Sequence, residues 1–260
     1  MYHSIAIGGY NTWDDWHLVP ASRPVFSTPA VKTRTVDIPG ANGILDFTST
    51  LTGYPVFQNR TGSFEFIVMN GYGSWEERYS EIMTAIHGLQ FKACLEDDPY
   101  YYYEGRFAIN EWRSEKDWSR LVIDYDVGPY KRRINSTGSM TALYNPFNKQ
   151  IIASSFYSIP IAANSSAKVD FSPNGPFDLY GIGREPVVPV FSVSDGNNAE
   201  QYALTFRDDD LNTTTTKIIT VGTTDRFSEI VFCGHAGYIQ CGNSQNRDVH
   251  LRVDFVEGRL

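Results

Sequence analysis

Cysteine is scarce in this 260-residue chain, and the odd set of Cys94, Cys233 and Cys241 does not suit the disulfide framework of a small secreted domain. Synthesis in a reducing cytoplasm is expected. Long apolar runs are also missing. Nowhere do about 18 consecutive apolar residues occur, and residues 1–20 have no basic leader and no unbroken apolar segment, so neither a membrane span nor a signal peptide is expected. Basic residues are outnumbered, 22 against 30 acidic, which leaves a formal charge of -8. A protein that grips phosphates needs a basic face, so specific nucleic-acid binding is not expected. An acidic wall around a channel is another matter, because it would let DNA pass without sticking.

Catalytic signatures are lacking as well. No serine sits in a Gly-x-Ser-x-Gly elbow, no Walker-type phosphate loop is present, and Gly181-Ile182-Gly183 lacks the third glycine and the helix of a dinucleotide site. An enzyme is not expected, and no cofactor is implied. Asp97 and Asp98, with Glu96 and Glu104 nearby, invite comparison with the paired acids of glycoside hydrolysis. Consecutive residues of an extended chain point to opposite faces, however, and turn capping before Pro99 is the simpler reading. Cys233, His235, Cys241 and His250 carry donor atoms that zinc prefers. Their spacing fits no established zinc pattern, and they are read as ordinary strand residues, with no metal.

What the chain does have is aromatic weight. Tyr and Phe supply 16 residues each, and together with Val, Ile and Thr they favour pleated, half-buried surfaces, so a mainly β fold is expected. Gly8-Gly9 and Asn11 mark a hairpin end within residues 4–23. In residues 32–47, Pro39-Gly40 and Asn42-Gly43 supply turn geometry between two strands. One segment reads as a helix, at about 75–87: Ser74 and Glu77 form a capping pattern, and Trp75, Tyr79, Ile82, Met83 and Ile86 follow helical spacing up to Gly88. Asp97-Asp98-Pro99 turns the chain into the tyrosine block 100–103, and a strand follows at 121–127.

After Pro129, the basic and small-residue stretch 131–138 reads as an interdomain connection. The expected division is an amino-terminal domain over residues 1–133 and a carboxy-terminal domain over residues 134–260. In the latter, strand-sized segments recur at 141–144, 151–157, 167–171, 187–193, 202–206, 217–221, 230–232, 238–241 and 250–255, with no helical run between them. An antiparallel β-sandwich is expected. Phe177 and Tyr180, near glycines, are candidates for stacking on sugar faces, although most aromatic residues of a sandwich fill its core or mate with a neighbour.

The segment Val36-Asp37-Ile38-Pro39-Gly40-Ala41-Asn42-Gly43-Ile44-Leu45-Asp46-Phe47 resembles the hallmark of the siphovirus distal tail protein family. Further resemblances occur in the family's order: residues 9–16, Arg23-Pro24, Lys32-Thr33-Arg34, Asn59-Arg60, the helix, Asp97-Asp98-Pro99 with Tyr101, Gly105-Arg106, and residues 127–131 with Pro129. The second half is similar more loosely, through its strand-rich texture and residues 185–190. The resemblance implies a split-barrel-like amino-terminal β domain with one helix that closes into a homo-hexameric ring. It also implies a galectin-like carboxy-terminal sandwich, and a place in the virion tail tip after assembly in the bacterial host cytoplasm. The implied partners are the tail tube protein, the tail-associated hub protein, the tape measure protein and a receptor-binding protein. Host adsorption through the sandwich, by binding cell-wall polysaccharide, is the alternative role. No catalytic residue is implied; Asp37, Pro39, Gly40, Gly43, Asp46, Asp98, Pro99, Tyr101, Gly105 and Pro129 are expected to serve structure.

Overall fold

The computed structural model describes residues 3–40, 42–50, 52–68, 74–114, 118–134, 143–145, 150–152, 157–171, 185–255 and 258–260. Contacts divide the chain into two compact units, residues 1–134 with 144–151 and 260, and residues 135–143 with 152–259. The fold is mainly β.

In the first unit, Ile5–Ile7 (β1) turns into Tyr10–Asn11 (β2), and Leu18–Pro20 (β3) follows. Thr35–Asp37 (β4) and Ile44–Asp46 (β5) form a separate two-stranded sheet. Then come Arg60–Val68 (β6), the helix Trp75–Ile86 (α1), Leu89–Leu95 (β7), Tyr101–Ser114 (β8), Ser119–Val127 (β9) and Lys131–Arg133 (β10). The main sheet runs β2-β1-β7-β8-β9-β6-β3 with antiparallel neighbours, and it curls into a half-barrel. β10 pairs with the start of β8, Arg132 opposite Tyr102. The pairing of β8 with β9 shifts register between Ile109 and Glu111, a bulge that bends the long strand.

Period-two patterning explains the sheet. On β9, Leu121, Ile123, Tyr125 and Val127 are all buried, and Phe64 and Phe66 of β6 lie directly opposite Ile123 and Leu121. Removing each such side chain from water stabilises by about 1.5–3 kcal/mol. Strand β6 goes unassigned from sequence, because Gly62 and Ser63 dilute its first half and the apolar alternation begins only at Phe64. Helix α1 starts where Ser74 Oγ accepts the amide of Glu77 at 3.2 Å, and its first turn carries Glu76 and Glu77 against the positive end of the helix dipole. Ile82 and Ile86, one turn apart, are fully buried in the same cluster as Phe66 and Phe107.

Leu143–Asn145 (β11) pairs with Gln150–Ile152 (β12). The second unit then contains Tyr157–Ile161 (β13), Ser165–Phe171 (β14), Val190–Ser194 (β15), Gln201–Asp208 (β16), Thr213–Thr220 (β17), Asp225–Arg226 (β18), Gly237–Asn243 (β19), Val249–Asp254 (β20) and Gly258–Arg259 (β21). Two four-stranded antiparallel sheets, β13-β20-β15-β18 and β14-β19-β16-β17, face each other across one apolar cluster. Ile159, Phe191 and Leu251 enter it from the first sheet, and Leu204, Phe206 and Ile239 from the second. This is a β-sandwich.

Of the strand expected over 151–157, Ile152 belongs to β12 and Tyr157 to β13, and residues 153–156 lie outside the described residues. Two further expected segments are redrawn. The strand expected from 187 begins at Val190, past Pro189, which has no amide to donate to a ladder. Residues 230–232 make an isolated bridge, Phe232 to Val187, rather than a strand. Their pattern misleads because Ile230 and Phe232 are both buried without a ladder. The Phe232 ring lies 5.1 Å from Phe171, 5.5 Å from Phe255 and 6.0 Å from Phe206, so an irregular segment supplies a central piece of the core.

Candidate functional site

The motif residues fall on two places in the first unit. Asp37, Pro39, Gly40, Gly43 and Asp46 belong to the β4–β5 hairpin, in which Val36 pairs with Leu45 and Asp37 with Ile44. The arm is rooted by ladder-like bonds at its base, Lys32 N–H to Val56 O and Gln58 N–H to Ala30 O, both 2.8 Å. At its tip Gly40 and Gly43 take φ values of +87° and +86°, with open space where a Cβ would be. Their demand is for backbone conformation, not room. Asp46 Oδ1 accepts the amide of Thr48 at 2.8 Å, and hydrogen bonds from the Thr48 side chain and backbone hold this carboxyl below its ordinary range.

Every described side chain of β4 and β5 is exposed, although Val36, Ile44 and Leu45 are apolar. Ile38 and Phe47, at the two flanks, are exposed too. The hairpin is a ribbon with regular pairing and an apolar surface that the described residues of its own unit leave exposed, a feature that marks interaction sites. Alternation of Thr35, Val36, Asp37 and Ile38 identifies the strand in the sequence but says nothing about whether either face is covered.

The second group gathers around the β7–β8 turn. Lys131 Nζ lies 2.7 Å from Asp98 Oδ2 and 4.4 Å from the centre of the Tyr101 ring, so an ion pair and a cation–π contact share one ammonium. The Pro129 carbonyl accepts Arg60 Nε at 2.8 Å, and the same buried guanidinium donates to the Ser27 carbonyl at 2.7 Å and lies over the Tyr103 ring. Gly105 faces the backbone of β9, where an added Cβ would collide with the Asp126 carbonyl and with Val127 Cα. Pro99 stands in the turn that Tyr101 closes by donating its amide to the Asp98 carbonyl at 3.2 Å. Phe177 and Tyr180 lie outside the described residues.

The acids weighed as a hydrolytic pair have separate partners. Asp97 takes His3 and Arg23 at 2.9 Å, Asp98 takes Lys131, and Glu96 accepts the Ser4 amide at 2.7 Å. Burial alone would raise the Asp97 carboxyl, but the hydrogen bonds from Arg23 and His3 outweigh it and hold the group below its ordinary range. Glu96 and Asp97 fasten the amino-terminal segment to the β7–β8 turn, and Asp98 ties the same turn to β10.

The four thiol and imidazole candidates do not converge: two lie on different sheets and two in a bend. Cys241 is buried on β19, whereas His250 on β20 has its Nδ1 2.8 Å from Asp195 Oδ2. Cys233 and His235 sit in the bend between Phe232 and β19, not on a strand, which corrects their reading as strand residues. Asp208 joins them there. No helix among the described residues is long and apolar enough to cross a membrane.

Neither the family models nor the curated proteins compared with the sequence give a match. Among solved structures, the chain is similar to the Dit (gp 19.1) protein of phage SPP1, described as a paradigm of the hub adsorption apparatus in phages that infect Gram-positive bacteria. The TM-score is 0.55 at 12% identity, and the likeness covers 98% of this chain and 99% of the other.

Proposed function

We propose that the chain is a structural, non-catalytic subunit of the tail tip of a long non-contractile phage tail, six copies of which close into a ring around the DNA exit channel. The observation that carries this reading is the fold likeness to a phage hub protein along essentially the whole of both chains, so that both units are matched and not one common module. Residues 1–133 would form the ring and residues 134–260 the projecting sandwich. A ring of identical subunits needs unlike faces that mate head to tail. The apolar β4–β5 ribbon supports that requirement, since it offers an arm with side chains and edge groups for a neighbouring copy to cover. Asp37, Pro39, Gly40, Gly43 and Asp46 shape this arm, while Asp98, Pro99, Tyr101, Gly105 and Pro129 brace the sheet behind the β7–β8 turn.

In this role the ring touches the last tail tube ring on one side and the tail-associated hub protein on the other, with the tape measure protein inside and receptor-binding proteins outside. The net charge of -8 suits a bore through which DNA passes without adhering. Electron microscopy of isolated virions, with an antibody fragment against this chain, is the test. Six copies around the tail tip are expected; virions that lack the protein overturn the assignment.

A second reading, host cell-wall polysaccharide binding by the sandwich, is supported by the two-sheet architecture of the second unit. Pull-down with purified host wall polysaccharide checks it, and retention that persists after deletion of residues 134–260 sinks it.

A further inference from the structure

We propose that Asp208, Cys233 and His235 form a binding site for one transition-metal cation in the sandwich, with zinc as the ion their donors suit best. Strand β16 breaks its own pattern at one position. Its inward residues are Tyr202, Leu204, Phe206 and Asp208, so a carboxylate occupies the place where the alternation calls for an apolar side chain. Asp208 is only 3% exposed, and a buried carboxylate needs hydrogen bonds together with a positive partner. One oxygen accepts the Leu211 amide at 2.9 Å, and the other lies 2.8 Å from His235 Nδ1. Gly234, at φ +87°, folds the bend so that Cys233 and His235 turn toward the same carboxylate. One donor atom from each of the three side chains lies within 4.8 Å of the other two.

The surroundings favour a cation. Cys233, His235 and Asp208 border a cavity of about 10 Å³, whose lining also includes Phe171, Phe206 and Phe232, which is room for one water-sized occupant. The Cys233 thiol feels the charges of both Asp208 and Asp210, whereas the nearby Arg207 guanidinium is engaged by Asp209, Asn212 and Thr214. On binding, the Sγ–H bond breaks, its proton passes to solvent, and the sulfur electron pair forms the bond to the metal. Histidine contributes a neutral nitrogen lone pair, and the carboxylate supplies an oxygen. One thiolate, one imidazole and one carboxylate form a tetrahedral donor set with a fourth position left for water. Such an ion would tie the 233–236 bend to the end of β16.

Cobalt(II), titrated into the untagged full-length chain after dialysis against chelator, tests the site. One equivalent is expected to bring a sulfur-to-cobalt charge-transfer band with tetrahedral visible bands, and zinc is expected to displace both. Cys233→Ser should abolish the charge-transfer band, Cys241→Ser should leave it, and His235→Gln should weaken cobalt binding by at least about tenfold. His235→Gln carries the test alone if Cys233→Ser does not fold. Failure of the native chain to take up one equivalent, or bands unchanged in both Cys233→Ser and His235→Gln, overturns the proposal and leaves a buried His–Asp pair beside a bystander thiol.

Discussion

In strand β9 every second side chain from Leu121 to Val127 is withdrawn from water, while in the β4–β5 hairpin Val36, Leu45 and Ile44 stand 45%, 49% and 66% exposed. Both regions are antiparallel β structure in regular register, and both carry branched apolar residues. Strand pairing is thus not what separates them. Cover is: β9 lies over a core that includes α1 and β6, whereas among the described residues no such layer of its own unit covers the hairpin. Apolar side chains left outside a core contribute nothing to the stability of the free subunit. They become favourable when a second surface removes them from water, by about 1.5–3 kcal/mol for each side chain fully covered. The sheet stabilises the fold, and the hairpin leaves apolar surface open for another surface to cover.

The contrast can be broken most forcefully in the core. Phe66→Ala empties a fully buried position and should cost the first unit about 3–5 kcal/mol, read as a lower urea midpoint; a loss below about 1 kcal/mol would mean that the sheet is not a packed layer. Gly105→Ala should cost about 1–3 kcal/mol, because the new methyl meets the rigid backbone at Asp126 and Val127, and the shift is checked by thermal unfolding.

Alkaline pH sharpens the same comparison. Burial pushes the thiols of Cys94, with help from the Asp98 charge, and of Cys241 up to about 12, from an ordinary value of 9.0. In the unfolded chain these thiols ionise first, so between those values the folded state holds the extra proton. Stability is therefore intact below about pH 9 and falls as pH rises toward 12, by about 1.4 kcal/mol per pH unit for each thiol. Urea melts of the native chain against Cys94→Ala and Cys241→Ala, repeated through this range, measure the difference; equal pH slopes in all three proteins would remove thiol burial as the cause.

The smallest effect on stability belongs to the hairpin. Leu45→Asp should change unfolding free energy by no more than about 0.5 kcal/mol, yet it should stop the protein from entering tail tips. Complementation of a phage lacking the native protein, scored by tail morphology, checks this. A strongly destabilised but assembling variant would reverse the roles assigned to hairpin and sheet.

Local chemistry makes much of the first unit legible in the sequence. The Ser74–Glu77 cap and the i, i+4 spacing of Ile82 and Ile86 identify α1, because a helix start and a buried stripe are written within a few residues of each other. The Asp97-Asp98-Pro99 turn is equally local. Strand β6 is harder to see, since Gly62 and Ser63 thin its pattern and its support comes from β9, about sixty positions later. The candidate site divides along the same line. Glycines 40 and 43 announce their backbone geometry, but the partnership of Asp98 with Lys131, or of Arg60 with the Pro129 carbonyl, joins residues that no spacing relates.

The second unit makes the division clearest. Its antiparallel, strand-rich character follows from alternating apolar residues and turn formers, and in that sense was determined by sequence alone. Which side chains meet was decided by two sheets closing on each other. Closure drew Phe232 from an irregular segment into the aromatic core, parted Cys241 from His250, and set Asp208 beside Cys233 and His235. The physical reason is range. Backbone propensity and periodicity act over a few residues, whereas burial, ion pairing and metal coordination depend on distance in space, which the chain acquires only when its layers pack.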